Sequence, residues 1–319
     1  MNKHAVSKQM VKQRMTVLFL LASVCITPAL AKPDLFFEQT DDSIALKNGK
    51  KTVWQYNHKV SEGKPYFHPL SNIDGEVLTW LRPADHVWHR SMWHSWKYMN
   101  GLNYWEENRK TGKSQGITEI KKIKIKKKRK NAAEIELTLS YHPPEKPEIM
   151  SEERSIYISS IDKQGNYYID WSSTFTATGT DVKLDRTPLQ GEPRGKSWGG
   201  YAGLSIRMAK NTRGWNFVNS EDEANMTLHG KPAKWVNTTG KTPAGKEAAL
   251  TMLDHPSNMR HPSPWYIAKD MPYFSPAIIF NDPFTLKKGE SFTLKYRVLV
   301  HSNPLNKDEI EKEWKKFSK

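Results

Sequence analysis

Apolar and polar residues alternate with a period of two along most of this chain, and the 3.6-residue period of an amphipathic helix shows only once. Short runs at 43–46, 52–56, 76–81, 155–159, 166–176 (NYYIDWSSTFT), 204–208, 248–253 and 291–301 (SFTLKYRVLVH) are rich in β-branched and aromatic residues. Glycine, proline, asparagine and aspartate separate them, which is how strands and turns punctuate each other. Alternation sends one side of a strand to a core and the other to solvent. Residues 120–130 and 135–141 read as a β-hairpin turning near Lys130 and Asn131, and 307–317 (KDEIEKEWKKF) as a polar C-terminal helix. The expected fold is all-β: a large antiparallel β-sandwich with one short C-terminal helix. No repeat or low-complexity linker divides residues 32–319, so a single domain is expected there.

The first 31 residues follow a different rule. Lys3, Lys8, Lys12 and Arg14 stand without an acid in residues 1–15, the apolar run VLFLLASVCI follows at 17–26, and Ala29-Leu30-Ala31 closes the segment. A basic start, a short apolar stretch and an A-x-A site describe a signal peptide, too short for a bilayer span. The mature chain is expected to be periplasmic or secreted, with no membrane insertion after cleavage. Cys25 is the only cysteine and lies in that leader. The mature chain is then expected to carry no disulfide, thiolate nucleophile or cysteine metal site.

Charge changes the picture less than its total suggests. Of the formal +15, four charges sit in the leader and eight in the run 121–130 (KKIKIKKKRK), leaving +3 for everything else. Ile120, Ile123 and Ile125 interleave the lysines. That pattern suits a solvated edge strand that uses lysine to block edge-to-edge pairing. The other reading is contact with an acidic glycan or cell-envelope polymer. Nucleic acid is not an expected partner of an exported chain.

The chemistry concentrates in LRPADHVWHRSMWHSWKYMNGLNYWE, residues 81–106, with three histidines, four tryptophans, two arginines and the acids Asp85 and Glu106. Two loops carry the other polar clusters. Residues 185–207 (DRTPLQGEPRGKSWGGYAGLSIR) hold Glu192, Arg194 and Arg207, and residues 254–266 (DHPSNMRHPSPWY) hold Asp254, His255, Arg260, His261 and Trp265. Loops of this composition on a rigid scaffold are where functional groups gather.

These motifs, together with PYFSPAIIF and KYRVLVH, resemble an exported bacterial family catalogued as "methane oxygenase PmoA-like". The resemblance spans about residues 64–301. The family pattern has a DHPHHRG-like core, from which this chain departs at Trp88 and Ser91. The resemblance implies a supersandwich similar to the galactose-mutarotase-like group, whose members bind, epimerise or cleave sugars. The oxygenase label does not fit a chain without a membrane span.

Sugar chemistry needs aromatic platforms, hydroxyl donors and a proton-transfer pair with separated pKa values. The catalytic candidates are His86, His89, His261, Glu106, Glu192 and Asp254. The substrate-binding candidates are Arg82, Asp85, Arg90, Trp93, Asn103, Trp105, Arg194, His255, Arg260 and Trp265, with arginines suited to a uronate carboxylate. Glu106 and Glu192 are the carboxylates that a glycosidase would set across the bond. As a strand, 86–94 would place His86 and His94 on one face; as a helix, it would pair His86 with His89. A two-histidine, one-carboxylate set could hold a non-haem metal, although no cofactor is required. The function expected is an exported carbohydrate-active enzyme, of hydrolase, lyase or epimerase type, acting on an oligo- or polysaccharide that can be acidic. The alternatives are a non-catalytic glycan-binding protein and a metal-dependent enzyme.

Overall fold

The computed structural model describes residues 33–319; the expected leader, residues 1–31, lies outside the described residues. Two eight-stranded antiparallel sheets dominate. The first runs Leu35–Gln39, Ser43–Asn48, Lys51–Asn57, Tyr66–Leu70, Met92–Ser95, Gly203–Arg207, Tyr273–Pro276, Trp265–Ala268. The second runs Arg213–Asn219, Trp235–Lys241, Glu247–Asp254, Ser291–His301, Tyr167–Ala177, Met150–Ile158, Ala133–His142, Ile117–Lys127. A small sheet joins Phe284–Leu286, Val182–Asp185, Tyr98–Met99 and Leu102–Asn103.

The sheets share one core because the strands send alternate side chains to it, most plainly in the long strands of the second sheet. In Tyr167–Ala177 every odd-numbered residue is buried and every even-numbered one is partly exposed. Ile44, Trp54 and Ile206 from the first sheet meet Ile135, Ile156, Phe175 and Val298 from the second in one apolar cluster. The Tyr167 hydroxyl ties them further by donating to the Ser71 carbonyl at 2.8 Å. An ion pair is also sealed inside. Arg154 donates to Glu152 through Nε at 2.7 Å and Nη2 at 2.9 Å, and its guanidinium lies 4.5 Å from the Trp171 ring. Nothing in the alternation ERS at 153–155 announces it. Buried charge survives only when paired and hydrogen-bonded in this way.

The all-β expectation and the C-terminal helix both hold. Lys307–Phe317 is capped reciprocally by Asn306 and Glu309, and it buries Ile310 against Trp235, Leu253 and Leu299 of the second sheet. The hairpin turns at Lys130 and Asn131, both with positive φ. Its basic strand Ile117–Lys127 is an edge strand, and Lys126 and Lys128 reach Glu136 and Glu134 across 2.7 and 2.8 Å. Residues 76–81 are a correction: they form isolated bridges through Val77, Thr79 and Leu81 rather than a strand. Arg82 at φ 48°, followed by Pro83, takes the backbone out of the extended region.

Candidate functional site

The face of the first sheet turned away from the core carries a second apolar cluster, in which Tyr66, Trp93, Trp105, Tyr266, Tyr273 and Phe280 pack with the partly buried Trp88, Tyr201 and Met271. Strand alternation decides its membership. Met92 and His94 face the core while Trp93 faces outward; Trp265 and Ile267 face the core while Tyr266 faces outward. Over this cluster the loops enclose a pocket of about 140 Å³, lined by His86, Trp88, His89, Trp105, Glu106, Trp198, Tyr201, Tyr266, Met271 and Tyr273. Larger and more open grooves of about 730, 650, 540 and 440 Å³ lie elsewhere, the first beside Lys210 and Arg213 and the second beneath the C-terminal helix. None carries a comparable aromatic wall.

Residues 86–89 are neither strand nor helix. A turn, closed by the His89 amide donating to the His86 carbonyl at 2.9 Å, brings both imidazoles to the pocket with rings stacked 4.7 Å apart. His86 Nδ1 lies 2.9 Å from Asp85 Oδ2, and the same oxygen accepts from Arg207 Nη2 at 2.8 Å. Burial pushes the Asp85 carboxyl up, but the bonds from His86 and Arg207 outweigh it and pull it down to about 2. An ionised Asp85 accepts only, so His86 carries its proton on Nδ1 and leaves Nε2 as the free nitrogen. His89 is buried, its Nδ1 has no partner, and burial with the neighbouring His86 and Arg207 pushes it well below the usual imidazole range.

Among the described residues, Glu106 is the only carboxylate lining the pocket. Lys97 and Asn103 donate to its Oε2, and the Tyr201 hydroxyl donates to its Oε1 at 2.7 Å. Burial raises this carboxyl, yet the Lys97 ammonium and the three hydrogen bonds more than offset that and hold it below the usual carboxylate range. Asn103 also accepts from the Trp105 and Glu106 amides at 2.8 and 3.1 Å, which fixes the turn presenting both side chains.

Several expected site residues have other duties. Arg90 donates through Nε and Nη2 to Glu107 at 3.0 and 2.8 Å and through Nη1 to Glu62 at 2.9 Å; Arg82 reaches the other Glu107 oxygen at 3.0 Å. With buried Lys64, which also bonds the Trp105 carbonyl, they form an ion network behind the pocket wall. These arginines are therefore not available to pin a carboxylate. Glu192 sits in its own turn, bound by Arg186 and the Leu189 amide, so no second carboxylate faces Glu106 in the pocket. Arg194 is exposed on the same loop.

The 254–265 segment is brought to the C-terminal helix rather than to the pocket. Asp254 is fully buried, accepting from His261 Nδ1, the Ser263 amide and Asn258. His261 stacks on Trp314 and His255 packs on Phe317. Arg260 clamps the carbonyls of Ile278, Asp282 and Pro283. Trp265 is in the core, its Nε1 donating to the Ala233 carbonyl. Trp93 stands behind His89, one layer from the pocket.

The pocket instead uses Tyr201, Tyr266, Tyr273, Met271 and Trp198, which sequence reasoning did not single out, with Arg207 and Lys97 holding its polar groups. Among the described residues no three His, Asp or Glu side chains converge in a set that could hold a metal ion.

A family model described as a family of unknown function, DUF6807, matches residues 43–315. No curated protein matches the sequence. Among solved structures, the galactosidase domain of an alpha-galactosidase–sucrose kinase is similar at a TM-score of 0.35 and 11% identity, covering 83% of this chain and 40% of that one. A polysaccharide lyase is similar at a TM-score of 0.24 and 12% identity, covering 85% and 33%. The chain thus spans less than half the length of either.

Proposed function

We propose that this chain, which belongs to DUF6807, a family of unknown function, binds a single saccharide ring in the aromatic pocket and moves protons on it. One observation carries the reading: an Asp85-supported His86 and a Lys97-held, ionised Glu106 line the same small aromatic pocket. Two titratable groups in contrasting environments are what acid–base chemistry on a sugar requires. Trp88, Trp105 and the three tyrosines offer flat faces for C–H stacking. At about 140 Å³ the space is well under the ~300–1,000 Å³ of sites for drug-sized ligands, which favours one ring.

His86 Nε2 is the group that takes a hydroxyl or ring proton, and Asp85 stabilises the resulting imidazolium. Tyr201 keeps its hydroxyl proton in the bond it donates to the ionised Glu106, which fixes the phenol at the pocket wall, and the proton that His86 takes is returned to the sugar from its imidazolium. One carboxylate in the pocket favours epimerase- or lyase-type proton transfer over a two-carboxylate glycosidase. This agrees with the mutarotase-like sandwich that the sequence motifs imply. The leader pattern supports export to the periplasm or beyond, with residues 32–319 working as one domain. No helix among the described residues is long and apolar enough to cross a membrane.

A glycan-binding role without turnover is favoured by a different observation: both Glu106 oxygens are already hydrogen-bonded within the chain. Incubating the protein with a panel of plant and algal oligosaccharides, read by mass spectrometry and by NMR of the anomeric protons, separates the two. Conversion that disappears in His86→Ala while affinity persists supports catalysis. Binding without conversion on every saccharide supports the binder, and no binding at all removes both.

A further inference from the structure

Trp198 is 56% exposed, yet it lines the pocket. An exposed indole on a slack loop would mean little, but this loop is pinned. The Lys196 amide donates to the Pro188 carbonyl, the Gly199 amide to Lys196 and the Gly200 amide to Thr187, each at 3.0 Å. A Cβ on Gly195 or Gly199 would stand 2.0 or 2.2 Å from the carbonyl oxygens of Leu189 and Pro188, so backbone is packed directly on backbone. Tyr266 donates to the Trp198 carbonyl at 3.4 Å. The ring is held out at the rim, and a preorganised aromatic surface loses little entropy when it is covered.

The rim is also cationic. Lys196 Nζ lies 5.8 Å from the Trp198 ring centroid, and the Arg109 guanidinium lies 5.8 Å from that of Trp88. Arg194 is exposed on the Trp198 loop. The acids on the two loops that carry these cations are spoken for: Glu192 is bound by Arg186, and Asp85 by His86 and Arg207. Each indole at the mouth therefore has a cation beside it.

Resting on the saccharide reading above, we propose that the ligand is the end of an acidic glycan: one ring fills the pocket and the next stacks on Trp198, its carboxylate or sulfate met by Lys196. The apolar ring face covers one side of the indole while the anionic substituent reaches the Lys196 ammonium, 5.8 Å from the ring centroid. The specificity would reside in that second ring.

Calorimetry on the full chain tests this with uronate disaccharides from pectin, alginate and glucuronoxylan, their carboxyl-reduced forms and the single uronic acids. The expected result is an acidic disaccharide bound about tenfold tighter than its reduced form and than either monosaccharide. Trp198→Ala should lower the disaccharide-to-monosaccharide affinity ratio about tenfold, with Trp198→Phe keeping most of it. Lys196→Glu should abolish the preference for the charged form. Equal affinity for charged and reduced disaccharides, or no gain over the monosaccharide, overturns the inference and leaves the one-ring reading standing. If no saccharide binds, both fall.

Discussion

Arg207 Nη2 donates to Asp85 at 2.8 Å, on the carboxylate oxygen that also holds His86 Nδ1. The guanidinium is itself buried and lies 5.1 Å from the Trp80 ring, so it cannot swing away. A strand residue of the first sheet thus sets the tautomer of a loop histidine. Asp85→Asn keeps the shape but loses the acceptor charge, and turnover should fall by about 10²–10⁴-fold with a small change in affinity. Arg207→Met should let the Asp85 carboxyl rise from about 2 towards its ordinary 3.8. Kinetics of Asp85→Asn and an NMR pH titration of the Asp85 carboxyl in Arg207→Met check the two, and an Asp85 titration unchanged from the parent would refute the positioning role.

Arg90 is buried against Glu107, which is buried too. Removing the guanidinium strands a carboxylate that Lys64 and Arg82 only partly compensate. Arg90→Ala should cost about 3–5 kcal/mol, whereas Arg90→Lys should retain part of that. Urea denaturation followed by circular dichroism measures it, and a loss below about 1 kcal/mol would contradict the network's importance.

Acid should weaken the fold through buried histidines. Burial pushes His68, His94 and His301 down to about 4, against an ordinary 6.5. Between these values the unfolded chain binds protons that the folded chain does not, so stability is whole above pH 6.5 and drains away as pH falls through 4. Each contributes on the order of 2–3 kcal/mol at most. Thermal melts from pH 7 to 4.5 should show a falling midpoint, and His301→Phe should show a shallower fall. Parallel curves for the two proteins would count against this account.

Gly200 has φ +95°, and a Cβ there would stand 2.6 Å from the Phe280 ring. Gly200→Ala combines backbone strain with a clash, for a cost of about 1–3 kcal/mol. Because Tyr201 follows directly, its bond to Glu106 should loosen. Near-UV circular dichroism should change at 275–285 nm by roughly the weight of one or two aromatic residues, and saccharide affinity should drop with it.

The two-residue period made six strands of the second sheet legible, the basic hairpin among them, while Arg213–Asn219 and Trp235–Lys241 went unread; the capped helix was legible too. It also explains what was hard to read. Trp265 and Tyr266 are adjacent and aromatic, and only the register of their strand decides that the indole enters the core and the phenol the pocket. Sequence alone does not state which face is which. His86, His89, Trp105 and Glu106 stood out because polar and aromatic residues crowd one segment. The 254–261 cluster stood out for the same reason, yet its histidines and acid serve the C-terminal helix. Composition detects hydrogen-bond networks, and only topology says whether a network faces a ligand. Arg90 and Arg82 belong to such a network too, with Glu107, the neighbour of Glu106, as their shared partner.

A pocket that closes around one ring also fixes what the protein would count. On the proposed reading, its rate on a long polysaccharide follows the number of chain ends and not the mass of polymer present. Acting as a lyase, it would leave the viscosity of a solution high until late, and prior cutting by an endo-acting partner would raise the rate in proportion to the new ends created.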